Sequence, residues 1–175
     1  MRLLLKNGAD VNAQGGRYGN ALQAASWRGY EVLVRLLLNK GADVNAQGGR
    51  YGNALQAASW RGDKAVARLL LKKGANINTQ GGRYGNALQA ASWRGDEAVV
   101  RLLLKNSADV NAQGGKYGNA LQAALSEGEE AVVRLLLNNG ANFNAQGEEY
   151  SNALRAATYE GKEVVVRLLD QGADT

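Results

Sequence analysis

The chain has 175 residues, a formal net charge of +5, and no Cys, His or Pro. Without Cys there is no disulfide framework and no thiolate nucleophile or metal ligand; without His the usual general base and the commonest nitrogen ligand are missing. No apolar run approaches the roughly 20 residues needed to span a bilayer, and the opening MRLLLKNGADVNAQ lacks the long apolar stretch and cleavage site of a signal peptide, so the reading is a cytoplasmic, non-membrane protein whose modest positive charge admits acidic partners without requiring nucleic acid.

One stretch organises the rest. GGRYGNALQAASWRG runs from Gly15 to Gly29, returns unchanged from Gly48 to Gly62 and from Gly81 to Gly95, and recurs in drifted form from Gly114 to Gly128 and from Gly147 to Gly161. Tyr18, Tyr51, Tyr84, Tyr117 and Tyr150 mark a constant step of 33 residues. A fixed period of this size signals a stacked array in which each unit buries its core against its neighbours. The period divides one repeat domain, 1–175, into a partial unit 1–14, full units 15–47, 48–80, 81–113 and 114–146, and a terminal partial unit 147–175.

In chain order, Met1–Gly8 matches Val34–Gly41, so the first fragment reads as the end of a helix without its partner. Leu3, Leu4 and Leu5 are expected to be poorly covered there, which makes the chain a monomer with a weak tendency to self-associate at that end. Within a unit, Gln14-Gly15-Gly16 reads as a turn, because adjacent glycines accept positive φ. Asn20 and Gln23 then form a capping-box pattern for a short helix ending near Arg28, stopped by Gly29. A second helix follows from about Glu31 to Lys40, with Val32, Leu33, Leu36 and Leu37 as its apolar positions and Glu31–Arg35 as an i,i+4 pair. Gly41 ends it, and Ala42–Gln47 extends to the next turn. Ser107 stands where Gly41 and Gly74 stand, a costlier left-handed cap. The last unit lacks one leucine of its triplet.

This pattern resembles the ankyrin repeat. The matching residues are Leu22, Ala25, Gly29, the run Val32–Leu38, and Gly41-Ala42-Asp43-Val44-Asn45-Ala46, and the family is known for this period. The resemblance implies an all-α ankyrin repeat solenoid, helix-turn-helix units with short β-hairpin-like fingers, that binds proteins on its concave face. Where the family has Thr-Pro-Leu-His, this chain has Asn20-Ala21-Leu22-Gln23. Such NALQAAS arrays look like those of fungal NACHT-type, NLR-like receptors, which implies the recognition region of a larger receptor.

Catalysis finds little support. Ser26, Ser59 and Ser92 recur without a base to activate them, and Gly-Gly-Arg-Tyr-Gly lacks the strand and long helix of a phosphate loop. No catalytic, cofactor or metal site is expected. Asn45, Asn78, Asn111 and Asn144 read as bonding the local loop backbone. The candidate partner-binding residues are those the repeat does not require: Trp27, Trp60 and Trp93 at the end of the first helix, Arg28, Arg61 and Arg94 after them, and Arg17, Arg50, Arg83 and Lys116 at the turn. Exposed Trp and Arg are frequent interface anchors; the competing reading is a cation–π ladder of each Trp on the next unit's Arg. The tyrosine column is expected to brace adjacent turns. Later units replace Trp with Ser126 and Tyr159 and Arg with Glu127 and Glu160, and add Glu148 and Glu149. The favoured ligand is therefore an acidic or aromatic-rich protein or peptide segment. Binding of a polyanion or single-stranded nucleic acid through the Arg/Trp columns is the first rival, opposed by those glutamates; a structural spacer or engineered scaffold is the second.

Overall fold

A computed structural model describes Leu3 and residues 7–145. The terminal unit 147–175, with Glu148, Glu149, Tyr150, Tyr159 and Glu160, and the segment holding Leu4 and Leu5 lie outside the described residues. Leu3 itself is exposed, as expected. The described chain runs as pairs of short helices: α1 (Ala21–Arg28), α2 (Glu31–Asn39), α3 (Ala54–Arg61), α4 (Lys64–Lys72), α5 (Ala87–Trp93), α6 (Glu97–Lys105), α7 (Ala120–Glu127) and α8 (Glu130–Leu137). The architecture is an all-α repeat solenoid, with β structure among the described residues limited to isolated bridges such as Gly48–Gly52 and Gly81–Gly85.

Each first helix starts because Asn turns back on it. The side chains of Asn20, Asn53, Asn86 and Asn119 accept from the amides of Gln23, Gln56, Gln89 and Gln122. The glutamine bonds back to the cap amide in two of them, Gln23 to Asn20 at 2.9 Å and Gln89 to Asn86 at 3.0 Å. Gly29, Gly62 and Gly128 then stop the helix in the left-handed region. The second helices α4 and α6 are capped by Asp63 and Asp96, whose carboxylates accept from Val66 and Val99. In α2 and α8 this position holds Tyr30 and Glu129, which make no such bond.

The first helices pack closely along the array and the second helices approach each other more sparsely, which puts the first helices on the inner, concave side. Between the two layers lies a continuous aliphatic core built from Leu22, Leu37, Leu55, Leu70, Leu88, Leu103, Leu121 and Leu136, all essentially inaccessible. The apolar set of the second helix differs from the sequence reading at its start. Val32 is 80% exposed, and Val34 is the buried valine, because the helix turns Leu33, Val34, Leu36 and Leu37 inward and leaves position 32 outside. The pairs Glu31–Arg35, Glu97–Arg101 and Glu130–Arg134 form as expected on the outer face, where exposure limits each to a few tenths of a kcal/mol.

A column of asparagines joins one unit to the next. Asn12, Asn45 and Asn111 donate to the carbonyls of Gly41, Gly74 and Gly140 at 3.1, 3.1 and 3.0 Å, and accept from the amides of Asp43, Asn76 and Asn142. This corrects the reading of the asparagine ladder as local: Asp10, Asp43 and Asp109 make the local loop bonds, and the asparagines reach 29 to 31 residues ahead. At the third step the ladder weakens, with Asn78 to Ser107 O at 3.4 Å.

Ser107 sits at φ 67°, the one non-glycine residue with positive φ among those described. A Cβ in that region costs about 1 kcal/mol. Ser107→Gly should therefore raise unfolding stability by about 1 kcal/mol in urea denaturation, whereas Gly74→Ser should lower it by a similar amount.

Candidate functional site: an aromatic ladder between two basic columns

The turn Gly-Gly-Arg-Tyr-Gly closes on itself, with Gly48 N donating to Gly52 O at 2.8 Å and Gly81 N to Gly85 O at 2.7 Å. Its tip then pairs with the neighbouring tip: Arg50 N to Arg17 O at 2.9 Å, Arg83 N to Arg50 O at 2.9 Å and Lys116 N to Arg83 O at 3.0 Å. The close approach needs glycine. Gly82 has φ 65° and lies against the Tyr51 and Gly52 backbone, so any Cβ there would collide. The result sets Arg17, Arg50, Arg83 and Lys116 in register along the finger tips, with one tyrosine behind each.

Those tyrosines fill the angle between fingers and first helices. Tyr51, Tyr84 and Tyr117 are buried, pack on Ala57, Ala90 and Ala123, and form with Trp27, Trp60 and Trp93 a second core separate from the aliphatic one. The tyrosine rings stack at 6.3 to 6.5 Å. The tryptophans stack at 6.4 Å and 6.3 Å. Each column also touches the other, as in Tyr18–Trp27 at 4.8 Å, Tyr51–Trp60 at 5.3 Å and Tyr84–Trp93 at 5.4 Å. Seven rings thus form one interlocked ladder from Tyr18 to Tyr117, with pair geometries that add about 0.5–1.5 kcal/mol each beyond burial. The bracing role expected for the tyrosines is what the geometry provides.

The tryptophans are half-buried rather than exposed. Their flank faces solvent, but the rings are committed to stacking on both sides. The Trp60 and Trp93 indole N–H groups are buried with no acceptor, and the Trp27 N–H lies beside the Tyr51 hydroxyl outside hydrogen-bond geometry. A buried donor left unpaired costs about 1–3 kcal/mol. Burial pushes the Tyr51 and Tyr117 phenols above their ordinary pKa, partly opposed by Arg50 and Lys116, so both stay neutral and apolar.

The arginines behave differently. Arg17, Arg28, Arg61, Arg83 and Arg94 are exposed and Arg50 half-buried; none of the six pairs with a carboxylate. Arg28 lies 4.5 Å over its own Trp27, and Arg94 lies 6.0 Å over Trp60 of the preceding unit; the latter is the cross-unit cation–π contact expected from sequence. Lys116 sits 5.0 Å over Tyr117. The tryptophan column ends at the fourth unit, where Ser126 is buried and Glu127 exposed. All ten residues singled out in the sequence line this one strip: aromatic rungs in the middle, finger-tip cations on one side, helix-end cations on the other.

The serines show no catalytic arrangement. Ser26 Oγ donates to Leu22 O at 2.8 Å, while Ser59 and Ser92 hydroxyls are buried and unpaired. Among the described residues no group of His, Cys, Asp or Glu side chains could hold a metal ion.

The repeat geometry and the strip together define a class, the helical repeat proteins that present a concave surface. A family model described as ankyrin repeats, in three copies, matches residues 1–81, 22–114 and 87–175, and the chain belongs to that family. Ankyrin repeats are generally protein-interaction modules, typically without catalytic activity. No curated protein matches the chain.

The ladder separates the two residue types experimentally. Trp60→Ala removes a ring stacked on four others and should cost about 3 kcal/mol of stability. Arg61→Ala should change stability by less than about 0.5 kcal/mol. Urea midpoints of the two single variants check the contrast.

Proposed function

We propose that the chain is the recognition array of a larger receptor-like protein and binds an acidic, aromatic-containing protein segment along its concave strip. The observation that carries this reading is the six unpaired arginines flanking the aromatic ladder. None of the six forms an ion pair within the fold, and a column of like charges along each flank is mildly unfavourable for it. An extended acidic segment would neutralise both columns, offer carboxylates for bidentate arginine bonds, and lay its own rings against the open flank of Trp27, Trp60 and Trp93. Stacking fixes the tryptophans beforehand, so little ordering is lost on binding. The receptor setting rests on the likeness of the NALQAAS units to fungal NACHT-type arrays, and the cytoplasmic setting on the cysteine-free composition.

Arg50→Glu with Arg83→Glu tests the reading without touching the ladder. With a labelled peptide of alternating Glu and Tyr, affinity should fall at least 30-fold, about 2 kcal/mol, and the parent's affinity should weaken with salt. The urea midpoint should be nearly unchanged. Unchanged peptide affinity would move the binding face elsewhere, and a preference for single-stranded oligonucleotide over the peptide would favour the polyanion reading.

A further inference from the structure

The outer surface breaks the repeat's own rule at one helix. Glu31, Glu97 and Glu130 each begin a second helix and pair with the arginine four residues on. In α4 the same position is Lys64, and the arginine is Arg68. Lys64, Arg68 and Lys72 lie at i, i+4 and i+8, all exposed and on one face, a stripe about 12 Å long. None of the three is paired with a carboxylate. The neighbouring Asp63 is occupied as the helix cap, accepting from Val66 N at 3.0 Å.

The fold explains part of this charge and not the rest. Lys40, Lys73, Lys72 and Lys105 sit in last turns or at C-caps, where cations complement the helix dipole. Lys64 sits in a first turn, where a cation opposes the dipole, and it repels Arg68 one turn away. A glutamate there would gain on both counts, as in the three sister helices. A local rule broken with no structural return marks a functional position more than a packing one.

The borders of the stripe define what fits. On one side stands the Glu31–Arg35 pair of α2, on the other the Glu97–Arg101 pair of α6, so at the level of Lys64 and Arg68 the stripe is flanked by paired charge on both sides. An anionic membrane or a duplex would meet those glutamates. No aromatic ring stands on α4 to stack bases. We propose that the outer face of α4 is a second docking surface, taking one acidic peptide segment whose carboxylates are spaced to meet Lys64, Arg68 and Lys72. It is independent of the concave strip.

Lys64→Glu makes the two roles move in opposite directions. The probe is a ten-residue polyglutamate peptide, added to protein carrying Arg50→Glu and Arg83→Glu so that the concave strip does not contribute, and followed by amide shifts and titration. The expected result is shifts concentrated at residues 63–73, an affinity about tenfold weaker after Lys64→Glu, and a higher melting midpoint for that variant. A raised midpoint with unchanged affinity, shifts outside α4, or stronger response to anionic vesicles than to the peptide would each overturn the proposal.

Discussion

The array depends on one side-chain amide that faces the next unit. Gln23 donates to Ala46 O, Gly48 O and Gly52 O at 3.1, 3.3 and 3.0 Å. Gln56 does the same to Thr79, Gly81 and Gly85 at 3.0, 3.3 and 2.8 Å. Gln89 and Gln122 continue the series to Ala112, Gly118 and Ala145. All four glutamines are buried. A turn rich in glycine has almost no side chains with which to hold itself, and its buried carbonyls need donors. The glutamine of the preceding helix supplies them, and so sets where each finger stands over its neighbour. Gly52 belongs to the same device: a Cβ there would overlap the Gln56 amide. In this respect Gln takes the place that the family's usual histidine leaves open, with the added reach of a flexible amide.

Once the fingers are fixed, the tyrosines must fall in a column, and the tryptophans at the helix ends close against them. Stability and recognition then divide by residue type. The rings are spent on stacking and give a rigid, partly apolar floor. The arginines remain outside that account, held only loosely by cation–π contacts, and carry the charge a partner would read. Drift follows the same division. The fourth unit keeps Tyr117 and Gln122 but exchanges Trp and Arg for Ser126 and Glu127, and it fills the serine position with the buried Leu125, which leaves no hydroxyl unpaired there.

Much of this was legible in the sequence, because period and capping are local signals. The 33-residue step is plain from near-identical copies, and the Asn caps, the glycine stops, the Glu–Arg pairs and the positive φ of Ser107 follow from neighbours within a few residues or from the matching position of a sister unit. The misreadings share one cause. Asn45 looks like a loop-bonding residue, and the capping box of Asn20 and Gln23, which does form, gives no sign that the glutamine amide also reaches the next unit, since those partners lie a whole unit ahead and periodicity does not reveal which way a side chain reaches. Trp60 looks exposed for the same reason: identical copies 33 residues apart stack on one another, and a signal for that exists only in the recurrence of Tyr and Trp at matched positions. Val32 reads as inward because a short apolar run allows two adjacent faces; the small sister residues Ala65 and Ala98, both exposed, mark the right one.

Gln56→Glu tests the central claim most directly, because it removes the clamp's amide donor and leaves the cap bond from Gln56 N to Asn53 Oδ1 in place. Glutamate keeps the shape, but it replaces the amide donor with a charged oxygen facing three carbonyls. If the glutamine is the clamp between units, urea unfolding should show a loss of about 3 kcal/mol or more, with amide protection lost first at Gly81 and Arg83. A neutral or stabilising effect, as a mere helix cap would give, would contradict the account.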